Sequence, residues 1–175
     1  PEKWGPVFAT DHAQKCSTRM TIEDDIAFLE GVPSFSILGR DALRIVAIGA
    51  ENRYVHAGEV LFTAGDPADA GFIVQDGSFQ LSIGTLEADA AAVTVKRGAL
   101  LGELALLTET TRPVTATATE PSTVIRVPRS LFLKMLEGYP DAARRLRDHI
   151  ATRTTQASED MIKVRGTLDV RPPRR

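Results

Sequence analysis

Leu100–Ala116 reads LLGELALLTETTRPVTA, and it breaks the pattern on either side of it. Glu103 follows Gly102, and Arg112 lies nine positions after Glu103 with only Glu109 charged in between. Glu103, Leu104, Ala105, Leu106 and Leu107 are good helix formers, whereas the flanking sequence alternates like short strands. The stretch therefore predicts a single helical turn inserted between two strands. A helix N-terminus offers unpaired N–H groups and a partial positive charge, which favour an anion. Arg112, expected at the start of the following strand, adds a full positive charge, and Glu103 adds two acceptors. An anion site with a carboxylate beside it suits a ligand that carries both a phosphate and a hydroxyl. The plain alternative is that Glu103 and Arg112 pair with each other or with neighbours on a turn.

Working outward, residues 53–128 form short apolar alternations cut by turn residues. Turns are expected at Ala57-Gly58, Gly65-Asp66-Pro67 and Asp76-Gly77, with Asp76-Gly77 read as a hairpin between Gly71–Gln75 and Ser78–Ile83. Further strands are expected at Glu59–Thr63, at 92–96, at 114–119 and at 122–128. Seven or eight such strands predict an antiparallel β-roll or jelly roll. Helices flank it. Thr21 caps one, with Asp24 three residues on and Ile22, Ile26 and Leu29 as its stripe. A second runs from Arg40 to about Ala50. A third starts at Ser130 and ends at Gly138, and a long fourth is expected from Asp141 to about Val164. The fold class is α+β, mainly β. Residues 1–19 read as a flexible N-terminal arm, 20–164 as one domain with its flanking helices, and 165–175 as a basic disordered tail.

Composition bounds the function. The chain has 175 residues, a formal net charge of −2 and one cysteine, Cys16. The charge argues against a general nucleic-acid binder, and one cysteine excludes an intramolecular disulfide. A reducing, cytoplasmic setting fits. No apolar run is long enough to span a membrane. His12, His56 and His149 fall on different elements, so neither a metal site nor a metal-dependent enzyme of roll shape is expected. No nucleophile–base pair or paired catalytic carboxylates appear, and an enzyme is not expected. Asp66 and Asp69 read as solvated turn residues.

Gly102-Glu103-Leu104-Ala105-Leu106 followed by Arg112 resembles the phosphate-binding cassette of cyclic-nucleotide-binding domains, the effector domain of catabolite-activator-like proteins. Gly58-Glu59, Phe62, Gly65-Asp66, Phe72-Ile73-Val74 and Gly77 resemble the family's upstream signature, so the resemblance covers roughly residues 21 to 160 of a stand-alone bacterial type. It implies that Glu103 accepts from a ribose 2′-hydroxyl and that Arg112 pairs with the cyclic phosphate. It also implies that Gly102 lets backbone approach the sugar and that the N–H groups of Leu104 and Ala105 complete the cradle. With Pro113 and Val114 these make the expected ligand-contacting set. The chain departs from the pattern at Leu101, where the family has Phe, and at Pro113, which has no N–H to offer the phosphate. The absence of a Thr hydroxyl at 113 favours cAMP over cGMP, and the lost contact costs on the order of 1 kcal/mol.

No cofactor is implied beyond the nucleotide ligand. Eleven residues follow Val164, so no DNA reader, kinase or pore is expected within this chain. Output is expected through an unknown protein partner or through homodimerisation on the C-terminal helix. The competing expectation is a degenerate roll that binds no nucleotide and serves as an interaction or structural protein.

Overall fold

The computed structural model describes residues 21–82 and 93–150. The arm at 1–19, the second half of the long helix and the 165–175 tail lie outside the described residues. Helix α1 spans Ile22–Glu30 and opens on a reciprocal capping box. The Thr21 N–H donates to Asp24 Oδ2 at 2.8 Å, and the Asp24 N–H donates to Thr21 Oγ1 at 3.2 Å. Two orphan donors of the first turn are thereby satisfied, and the Thr21 N–H and hydroxyl, both donating to Asp24 Oδ2, hold its carboxyl below its ordinary pKa. Ile26 and Leu29 face the core, but Ile22 is 48% exposed and does not join the stripe assigned to it from sequence. Helix α2 spans Arg40–Gly49 and buries Ala42, Leu43 and Val46.

Ten strands follow. One sheet has the order β1 (Glu51–Val55), β10 (Ser122–Pro128), β4 (Ala70–Asp76), β7 (Leu100–Leu101), all antiparallel. The second has the order β2 (Val60–Phe62), β9 (Thr115–Ala118), β5 (Ser78–Ser82), β6 (Val93–Lys96). A two-stranded ribbon pairs β3 (Pro67–Ala68) with β8 (Thr110–Thr111). The sheets enclose Val55, Leu61, Phe72, Val74, Phe79, Leu101, Ala116, Ala118 and Val124. Ile73, Ile125 and Val127 point the other way and pack with the helices. The first sheet is thus covered on both faces, which is why β4 is apolar at nearly every position rather than alternating.

The hairpin expected at Asp76-Gly77 does not form. β4 pairs with β10 and β7, while β5 pairs with β6 and β9, so the chain crosses from one sheet to the other at Gly77. An Asp-Gly turn reports a sharp reversal with positive φ, and Gly77 has φ +84°. It does not report which sheet receives the next strand. Strands β3, β7 and β8, two residues each, carry no period to read and were absent from the sequence expectation.

Helix α3 spans Arg129–Gly138. Its cap position is Pro128, so Ser130, expected to cap it, lies inside the first turn. Proline brings no side-chain acceptor to the cap, and the first helical N–H, that of Arg129, donates instead to the Asp69 carbonyl at 2.8 Å. Phe132 and Met135 point into the helical core, and Phe35 meets Phe132 at 5.8 Å. Helix α4 begins at residue 140 and is described to residue 150, with Ala142 and Leu146 buried.

Candidate functional site

The stretch from Leu100 forms the expected inserted turn. β7 leaves the first sheet beside Phe72 and Ile73, Gly102 turns the chain with φ +78°, and Glu103–Leu106 make one 3-10 turn. The Ala105 N–H donates to the Gly102 carbonyl oxygen at 3.0 Å, so this donor is used inside the turn. Ala105 and Leu106 are buried, whereas Leu104 is 65% exposed. Leu106 closes against Gly71, where a Cβ would come within 3.0 Å of it, and joins Phe35, Phe132 and Leu146 in the helical core. The inserted turn is therefore bolted to the flanking helices by Leu106, with the half-buried Leu107 packed against the same core.

Arg112 does not open a strand. It sits between β8 and β9, and its backbone is held twice by the turn at 65–66. Its N–H donates to the Asp66 carbonyl at 2.8 Å, and its own carbonyl accepts from the Gly65 N–H at 2.8 Å. Asp66 stabilises that turn by accepting from the Thr63 N–H at 3.0 Å. The Gly65-Asp66 pair thus aims an arginine. Pro113 is exposed and Val114 half-buried.

The Arg112 side chain runs inward and is 4% exposed. Nη2 donates to the Ala70 carbonyl at 2.7 Å. Cζ lies 4.4 Å from the Phe62 ring centroid and 5.2 Å from that of Phe72. Nη1 is buried with no hydrogen-bond partner. A Cβ on Gly102 would fall 2.3 Å from Nη1, so the glycine makes room for the guanidinium. Burial lowers the pKa of Arg112, Asp69 and Asp66 oppose that, and Arg126 reinforces it. Asp69 is engaged elsewhere: Arg126 holds it at 2.7 Å and reaches Glu51 at 3.3 Å.

Glu103 is half-buried. It lines a cavity of about 500 Å³ with Val32, Pro33, Ser34, Leu100 and His149, and Arg112 is not part of that lining. The structure brings Gly102 and Arg112 together, and it places Glu103, the next residue, on the lining of that cavity. Sequence reading missed the partners of Arg112: Phe62, Phe72 and the Ala70 carbonyl. Their spacing along the chain carries no such signal, because the contact arises only when the two sheets close on each other. Among the described residues, no three His, Cys, Asp or Glu side chains group to hold a metal, and no helix is long and apolar enough to cross a membrane.

A helix-flanked roll of two antiparallel sheets, with a 3-10 turn beside a buried arginine, defines a class of domains built around a small internal site. The chain belongs to the cyclic nucleotide-binding domain family, whose family model matches residues 52–139. A cyclic nucleotide-binding-like protein of Brucella abortus is 40% identical, with a TM-score of 0.56 over 65% of this chain and 98% of that one. Lysophospholipase NTE1 of Chaetomium globosum is 30% identical over 119 residues, 66% of this chain and 8% of that protein. The chain thus spans less than a tenth of the length of that curated relative. The regulatory domain of Toxoplasma gondii PKA, solved with cAMP, shares the fold at a TM-score of 0.62 and 19% identity, covering 77% of this chain and 50% of that one.

Proposed function

We propose that this chain is a non-enzymatic sensor of a cyclic nucleotide, cAMP in preference to cGMP, with output through a partner or through dimerisation. The observation that carries the reading is Arg112. Its guanidinium is buried, one nitrogen has no partner, and no carboxylate among the described residues is within ion-pairing distance of it. A buried cation left this way is costly unless an anion completes it. A cyclic phosphate is a compact monoanion that fits that need. Glu103 supplies the acceptor for the ribose 2′-hydroxyl, and Gly102, Leu104, Ala105, Pro113 and Val114 form the surrounding backbone. The Toxoplasma domain of the same fold carries cAMP.

Gly102 at the head of the inserted turn packs on the Arg112 guanidinium, so ligand bound to Arg112 and Glu103 acts directly on the position of that turn. Leu106 ties that turn to α3 and α4, so its displacement changes how the helices pack. The response is a population shift between two positions of the turn, and the helices present the changed surface.

The competing reading, a roll that binds no nucleotide, draws on Pro113, which has no N–H to offer a phosphate. Thermal unfolding of the full chain with cAMP, cGMP and 5′-AMP separates the two. Ligand at about 100 times its Kd stabilises by roughly 2.7 kcal/mol, about 5–10 °C for a chain of this size. The expected order is cAMP, then cGMP, with no shift for 5′-AMP. No shift with any of the three, in protein free of carried-over nucleotide, supports the empty roll.

A further inference from the structure

We infer that Phe62 and Phe72 are positioning residues, whose rings hold the Arg112 guanidinium in place while leaving its charge unneutralised for an anionic ligand. The inference rests on the cyclic-nucleotide reading and says how this chain keeps its phosphate-directed arginine ready. A buried arginine ordinarily meets a carboxylate. Here the nearby carboxylate of Asp69 is held by Arg126, and the guanidinium instead lies over two aromatic faces. The rings are themselves stacked, with centroids 5.8 Å apart and planes 27° from parallel.

The placement is built by both sheets. Phe62 ends β2 opposite Ala116 of β9, the strand that follows Arg112. Phe72 lies in β4 opposite Leu101 of β7, the strand that leads into Gly102. Each ring therefore comes from the strand paired to one end of the cassette, and closing the roll brings both onto the arginine. A π face attracts a cation electrostatically without accepting its N–H hydrogens. A carboxylate in the same place would occupy those donors and would have to be displaced by each ligand. The clamp stabilises the side-chain position and leaves Nη1 unpartnered.

The test uses the full chain with Phe62→Leu, which keeps apolar bulk, and Phe62→Tyr, which keeps the ring. Phe62 is only partly buried, so both variants should fold. The Leu variant is expected to bind cAMP about three- to fivefold more weakly, and the Tyr variant to stay within about twofold of the parent. Equal affinities in the Leu and Tyr variants overturn the inference. A second readout needs no ligand: the double-mutant cycle of Phe62→Leu with Arg112→Ala, which leaves no side chain at 112 to touch the ring, in urea unfolding. Coupling of about threefold or more in the unfolding equilibrium is expected, and strict additivity overturns the clamp. A chain that binds no cAMP yet shows this coupling refutes the nucleotide reading and leaves the clamp standing.

Discussion

Arg112→Met is expected to weaken cAMP binding by about 100-fold while leaving the fold intact. Hydrogen bonds to a charged group contribute roughly 1.5–3 kcal/mol each, and a cyclic phosphate can take two from a guanidinium fork. Losing them at the low end of that range, about 3 kcal/mol together, corresponds to a fall of about 100-fold in affinity. Stability responds differently. The parent side chain is a buried cation with one nitrogen unpaired, over two rings in an otherwise apolar setting. Methionine fills similar space, keeps the ring contacts through its sulfur and removes the cost of the unpaired charge. Against this, the Ala70 carbonyl loses its donor, the bond that Nη2 makes at 2.7 Å. The two effects oppose each other, so urea unfolding should move by no more than about 1 kcal/mol. Arg112→Lys keeps the charge but not the planar fork, and should recover only part of the affinity. A Met variant that unfolds in buffer would make Arg112 a structural residue first.

The second large effect is on stability. Gly77→Ala is expected to destabilise the chain by about 2–4 kcal/mol, roughly 10 °C in unfolding midpoint. At φ +84° any side chain is strained. Here the new Cβ would also sit 2.1 Å from Ser122 Oγ, 2.7 Å from Ser122 Cβ and 2.9 Å from its Cα. The hydroxyl could rotate, but the Cα belongs to β10 in the middle of the first sheet. Ser122 also accepts the Ser78 N–H at 3.3 Å, so moving it disturbs the start of β5. Gly58→Ala is the matched control. It has a similar φ of +79°, with nothing within 4 Å of the added carbon, and should cost only about 1 kcal/mol. Equal losses at Gly77 and Gly58 would mean that the crossing does not depend on contact with Ser122.

What could be read from sequence divides along a physical line. Elements defined by local chemistry were legible. The Thr21–Asp24 capping box marked α1, the apolar run at Ser122–Pro128 marked β10, and the good helix formers after Gly102 marked the inserted turn. Features set by how distant segments meet were not. Gly77 announces a bend, but only the packing of two sheets decides that the next strand changes sheet. Ser130 does not cap α3 because the helix begins one residue earlier, after Pro128, where the first helical N–H is taken by the distant Asp69 carbonyl. Glu103 and Arg112 were identified by type and spacing. The aromatic faces that lie against the arginine come together only when the roll closes. The cassette therefore identifies the family, while the state in which it waits for ligand is visible only in three dimensions.

The most direct measurement is isothermal titration of the full chain with cAMP after removal of any nucleotide carried from expression. Saturable binding at one site per chain, weaker for cGMP and lost in Arg112→Met, is the expected result. Absence of saturable heat at millimolar cAMP, with the Met variant behaving as the parent does, contradicts the assignment of Arg112 as the phosphate contact and leaves a roll whose helical surfaces carry its function.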